Sequence, residues 1–122
     1  MTILIIDDDE SLRDSLRRSL RGKGYTIIEA SEGGEGLNVL KTHPVNLVLI
    51  DLFMPGKEGV ETIKDVRQQY PGVKIIAMSG GGAKGQTDLL KVAKLMGARQ
   101  TLEKPFARET LIEAVEQALR AA

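Results

Sequence analysis

Leu47-Val48-Leu49-Ile50-Asp51 runs directly into Leu52-Phe53-Met54-Pro55-Gly56, so four aliphatic residues are closed by a lone carboxylate where a buried strand becomes a loop. An ionised side chain is too costly to place in an apolar core without partners. Asp51 is therefore expected to project from the carboxyl end of its strand, where open α/β sheets build their sites. The pattern recurs at Ile3-Leu4-Ile5-Ile6, which ends in Asp7-Asp8-Asp9-Glu10, and at Lys74-Ile75-Ile76-Ala77-Met78, which ends in Ser79-Gly80. A weaker run, Gln100-Thr101-Leu102-Glu103, delivers Lys104-Pro105-Phe106. Acids, a hydroxyl and an ammonium are thus expected to converge.

Between these runs the apolar residues follow a helical period: Leu12, Leu16 and Leu20; Leu37 and Leu40; Val60, Ile63 and Val66; Leu89, Val92, Ala93 and Met96; Leu111, Val115 and Leu119. Five strands alternating with five helices predict an α/β fold, a parallel sheet covered on both faces by right-handed crossovers. Gly22, Gly24, Pro44, Pro55, Gly56, Pro71, Gly72, Gly97 and Pro105 fall between elements. The pattern by itself leaves the strand order open.

The 122 residues suit one domain with a single core, and no linker or internal repeat divides them. The 17 basic and 17 acidic residues balance, and no long basic run offers an electrostatic basis for nucleic acid or an anionic membrane. With no cysteine there is neither a disulfide framework nor thiolate chemistry, as fits a reducing compartment. The first strand starts at residue 2 with no basic or cleavable apolar stretch before it, so a cytoplasmic address is expected. Tyr25, Tyr70, Phe53 and Phe106 are too scattered to form a stacking platform for single strands.

The acidic pair after the first strand, Asp51 with Met54-Pro55-Gly56, Ser79-Gly80, and Lys104-Pro105-Phe106, in this order and spacing, resemble a response-regulator receiver domain. Such domains, of the CheY-like superfamily, are the phosphoacceptor modules of bacterial two-component signalling, and the resemblance covers nearly the whole chain. It implies the flavodoxin-like (βα)5 order 2-1-3-4-5 and a stand-alone receiver over residues 1–122, unless the chain was trimmed from something longer. It implies that Asp51 accepts a phosphoryl group from a sensor histidine kinase or a histidine phosphotransfer protein, and that the changed surface signals to a downstream protein. The domain would promote its own phosphorylation and dephosphorylation without being a turnover enzyme.

Two like charges beside Asp51 raise carboxylate pKa values or demand a cation, and a hard divalent ion resolves the conflict. By resemblance, Asp8, Asp51 and the backbone carbonyl of Phe53 bind magnesium (or manganese) directly, and Asp7 acts through water. Lys104 would pair with Asp51 and then with the phosphoryl group, aimed inward by a cis peptide before Pro105. Ser79 would hydrogen-bond a phosphoryl oxygen. Asp9 and Glu10 read as first-turn acids favoured by the helix dipole.

The chain departs from the family pattern at Thr101, where receivers commonly carry a switch aromatic, and in the glycine-rich Gly80-Gly81-Gly82-Ala83-Lys84-Gly85, expected to tighten on phosphorylation. That loop is nearly a P-loop, but Gln86 stands where the lysine should be. Phe53 is expected to shield an acyl phosphate from water, and His43 to lie in a surface turn. The outer faces of the fourth and fifth helices read as mixed charge and small residues without an apolar stripe. One enzyme alternative is a haloacid-dehalogenase-like phosphatase with Asp7 as nucleophile, which would leave Asp51 idle. Another alternative is a pseudo-receiver that binds partners unphosphorylated, against which the complete acidic set argues.

Overall fold

The computed structural model describes residues 1–52, 58–80 and 86–120, without the side chains of residues 58 and 86–90. The expected alternation is present: β1 (Thr2–Ile6), α1 (Glu10–Arg21), β2 (Thr26–Ala30), α2 (Gly33–Thr42), β3 (Leu47–Asp51), α3 (Glu58–Gln69), β4 (Lys74–Gly80), α4 (Gln86–Met96), β5 (Gln100–Lys104) and α5 (Arg108–Arg120). The strands pair in parallel in the order β2-β1-β3-β4-β5. No described helix is long and apolar enough to cross a membrane.

Strand alternation sorts the aliphatic runs into two cores. Leu4, Ile6, Val48, Ile50, Ile75 and Ala77 pack with Leu40 of α2, Ile63 and Val66 of α3, and Ala93 of α4. Ile3, Ile5, Leu47, Leu49, Ile76, Met78 and Leu102 pack on the other face with Leu16 and Leu20 of α1 and with Leu111, Ala114, Val115 and Ala118 of α5. A strand covered on both faces needs apolar residues at successive positions, which is why β1 and β3 read as unbroken aliphatic runs rather than alternating ones. The edge strands β2 and β5 are less buried.

Three details differ from the sequence reading. β4 continues through Gly80 and β5 through Lys104, and the ladder pairs Ser79 with Glu103 and Gly80 with Lys104, so Ser79 and Lys104 sit on strand backbone. Asp9 is the N-cap of α1 rather than a first-turn acid: its carboxylate accepts from the Leu12 amide at 3.1 Å. Val92, counted with the inward face of α4, is exposed, and so is Leu95 one turn further on. The outer face of α4 therefore does carry an apolar pair.

The glycines inside helices, which the loop-and-turn reading passes over, mark close approaches. A Cβ on Gly36 of α2 would lie 2.4 Å from Ile6 Cδ1, and one on Gly59 of α3 would lie 2.6 Å from Leu52 Cα. The second contact is with backbone directly after Asp51 and cannot be relieved by a side-chain rotation. Alanine at a helical glycine normally gains about 1 kcal/mol. Gly59→Ala is instead expected to cost about 1–3 kcal/mol through overpacking. Gly72→Ala, where a Cβ meets nothing within 4 Å, should stay within about 0.5 kcal/mol of the native chain. Urea-denaturation midpoints of the two variants check this, and equal midpoints would contradict the close packing at Leu52.

Candidate functional site

Strand parity carries the charged residues to one place. Asp7 continues the series Ile3, Ile5; Asp51 continues Leu47, Leu49; Lys104 continues Leu102; all three series face α1 and α5. The register places Ile6 beside Ile50 and Asp51 beside Met78, so the carboxyl ends of β1 and β3 stop level with each other. Lys104 Nζ lies 3.1 Å from Asp7 Oδ2 and 3.4 Å from Asp51 Oδ2, at the end of a side chain that is 22% exposed. The peptide bond between Lys104 and Pro105 is cis, as the resemblance implies.

Asp7 is fully buried and held on every polar atom. Its amide donates to the Ala30 carbonyl at 3.1 Å, its Oδ1 accepts from the Asp9 amide at 2.9 Å, its Oδ2 accepts from Lys104, and its carbonyl oxygen accepts from Arg13 Nη1 at 2.6 Å. Burial pushes the Asp7 carboxyl above its ordinary value of 3.8; the Asp9 amide opposes the rise, the charge of Asp51 adds to it, and Lys104 opposes it.

Asp7, Asp8 and Asp51 each offer a carboxylate oxygen within 4.8 Å of the others, Asp8 being the exposed member. Three carboxylates and one ammonium leave these four side chains with a formal charge of −2. That balance, together with all-oxygen donors, fits a hard divalent cation, magnesium above all.

Ser79 is fully buried, with Asp51 paired to its neighbour Met78 across the ladder. Thr101 lies opposite Ala77, half-buried. His43 is exposed at the end of α2, with Nδ1 2.9 Å from Thr42 Oγ1, well away from the acids in keeping with its surface reading. The Phe53 carbonyl, the Phe53 shield and residues 81–85 of the glycine-rich loop lie outside the described residues. Arg13 and Glu29 were not anticipated. Their signal would have been an arginine one helical turn beyond the Asp9 cap facing a lone acid in an otherwise apolar strand.

The chain belongs to the response regulator receiver domain family, whose sequence model matches residues 3–116. Members are signalling modules that bind magnesium at an acidic pocket. The chain is 33% identical over 120 residues to the hydrogenase transcriptional regulatory protein HoxA of Cupriavidus necator, covering 98% of this chain and 24% of that protein. It is 34% identical over 119 residues to the response regulator MprA of Mycobacterium sp. strain KMS, covering 97% of this chain and 50% of that one. It thus spans half or less of the length of these relatives. Among solved structures, a CheY-like receiver domain protein of Methanospirillum hungatei superposes with a TM-score of 0.86 at 30% identity, covering 97% of this chain and 92% of the other. The receiver domain of NtrX from Brucella abortus gives 0.91 at 26% identity, covering 98% and 99%.

The raised Asp7 carboxyl sets a pH dependence. The folded chain holds this proton more tightly than the unfolded chain, so the group's contribution to stability is greatest below pH 3.8 and is lost as pH rises through its folded value. In chelator at neutral pH, Asp7→Asn should therefore melt higher than the native chain, at roughly 4 °C for each kcal/mol of buried charge removed. The gap should close in acid, and magnesium should raise the melting temperature of the native chain much more than that of the variant. A variant that melts lower in chelator would show that the Lys104 pairing outweighs the burial cost.

Proposed function

We propose that Asp51 is the phosphoacceptor of this receiver domain and that Asp7, Asp8, Ser79 and Lys104 complete its site. The observation that carries this reading is the ammonium of Lys104 within 3.4 Å of the Asp51 carboxylate, at the mouth of a three-carboxylate cluster. Asp51 is fixed by strand backbone and by this pair, which points a carboxylate out of the sheet's end as a positioned nucleophile.

An Asp51 oxygen attacks the phosphorus of a phosphohistidine. The new P–O bond forms as the P–N bond breaks, with the electron pair staying on the imidazole nitrogen. A ring already protonated at its other nitrogen leaves neutral. Lys104 follows the negative charge from the carboxylate to the phosphoryl oxygens, and the Ser79 hydroxyl donates to one of them. Magnesium or manganese, when bound by Asp8 and Asp51 with Asp7 behind them, neutralises the repulsion between carboxylates and phosphoryl oxygens. Later attack by water at phosphorus returns the Asp51 carboxylate and releases inorganic phosphate, so the module resets itself without turning over a substrate.

The proposed donor is a sensor histidine kinase or a histidine phosphotransfer protein, the proposed recipient of the signal a downstream protein, and the proposed setting the cytoplasm. Residues 1–122 act as one receiver unit in this scheme. Of the buried acids Asp7 and Asp51, Asp7 is the less accessible, and both its oxygens are already engaged, by the Asp9 amide and by Lys104.

Intact-protein mass after incubation with acetyl phosphate tests the assignment. A phosphoryl adduct that needs magnesium and disappears in Asp51→Asn is expected. An adduct that survives in Asp51→Asn would move the chemistry to Asp7, and none in the native chain would make it a pseudo-receiver.

A further inference from the structure

Asp7 and Asp8 are consecutive, yet one is fully buried and the other exposed. Both nevertheless bring a carboxylate oxygen to the same cluster. The peptide plane between them decides whether that is possible. Its oxygen is the Asp7 carbonyl, and the side chain that holds it comes from α1: Arg13 Nη1 donates to it at 2.6 Å. With the Asp7 amide held by Ala30 and its carboxylate by Asp9 and Lys104, the direction of the Asp7 carbonyl fixes ψ of Asp7, the torsion that sets where the Asp8 residue leaves the strand end.

Arg13 is itself held. Its Nε donates to Glu29 Oε1 of β2 at 3.2 Å, and the other oxygen of that carboxylate accepts from Arg17 Nη1 at 2.8 Å. Arg17 also pairs with Asp14 on its own helix. The Arg13 side chain is only 15% exposed and that of Glu29 26%. A guanidinium with one edge on a carboxylate and another nitrogen on a carbonyl has little freedom left, because its donors lie in one rigid plane.

We infer that Arg13 is a positioning residue for divalent-cation binding: by fixing the Asp7–Asp8 peptide plane, with Glu29 as its anchor, it sets the Asp8 carboxylate against Asp7 and Asp51. This rests on the acidic cluster being the cation site proposed above. Arg13 touches neither cation nor phosphoryl group. Its positive charge beside the site works against cation binding by simple electrostatics, so positioning and charge predict opposite signs when it is removed.

Arg17 supplies a matched control. Both arginines carry one charge, both lie on α1, and both share Glu29, but among the described hydrogen bonds only Arg13 reaches the Asp7 carbonyl. The test is the magnesium dissociation constant of the full chain, from amide-shift titration, for the native protein, Arg13→Met, Arg17→Met and Glu29→Gln, with urea midpoints recorded for each. Outer-shell partners of metal ligands typically contribute about 10–100-fold to affinity. Arg13→Met is expected to bind magnesium at least about tenfold more weakly, Arg17→Met close to the native value, and Glu29→Gln in between. Should Arg13→Met not fold, Arg13→Lys decides the same point, because it keeps the charge and loses the rigid fork: weaker magnesium binding than native supports positioning, and native affinity overturns it.

An Arg13→Met affinity equal to or tighter than native would overturn the inference, the tighter case leaving the guanidinium as a repelling charge only. Equal weakening in Arg13→Met and Arg17→Met, in step with their urea midpoints, would overturn it too, as a general loss of α1 packing. No magnesium binding by the native chain would remove the inference and the cation site together, whereas native binding with an indifferent Arg13 would remove the inference alone.

Discussion

Mutual repulsion among Asp7, Asp8 and Asp51 is the constraint around which this molecule is arranged. Two unit charges about 5 Å apart near a protein surface repel by roughly 3 kcal/mol at an effective dielectric of about 20, a large share of the roughly 5–15 kcal/mol by which a domain is stable. The acids cannot be separated, because the parallel register stops β1 and β3 level with each other. Lys104 moderates the repulsion from the far side of β4, and its Nζ reaches the two buried acids. A cation or a phosphoryl group arriving there changes the charge balance of a cluster that is already under tension.

Much of this was readable from residue order. Four aliphatic residues in a row at Ile3–Ile6 and at Leu47–Ile50, each bounded by polar or turn residues, read as strands covered on both faces, and once they are parallel and in register the acids that follow them emerge at the same edge. The cluster follows from those two facts plus a register. The pull of Lys104 towards Asp7 as well as Asp51 was less visible. It depends on β5 lying next to β4, an order that the periodicity leaves open and that came from resemblance to a family.

Elsewhere the local signal was weak or misleading. Gly33, Gly36 and Gly59 look like helix breakers, yet they sit in helices because α2 and α3 press so closely on Thr62, Ile6 and Leu52 that no Cβ fits. Val92 satisfies a helical period but points outward, because the inward position beside it is filled by Ala93. Arg13 has the composition of any solvated helix arginine. Only the fold brings it beneath the Asp7 carbonyl, since its partner Glu29 is distant in sequence and adjacent in space. Pairings of that kind are set by tertiary geometry.

The two cores also have a consequence for how far a disturbance can travel. The sheet is a partition, with α2, α3 and α4 on one side and α1 and α5 on the other. Within the strands, side chains belong to one compartment or the other. At the carboxyl edge the partition ends: Asp51 and Lys104 continue the series that faces α1 and α5, while Ser79 continues the series of Ile75 and Ala77 that faces the remaining helices. A group seated at that edge is therefore in touch with both compartments at once, and helices that share no packing with each other can respond to the same occupant.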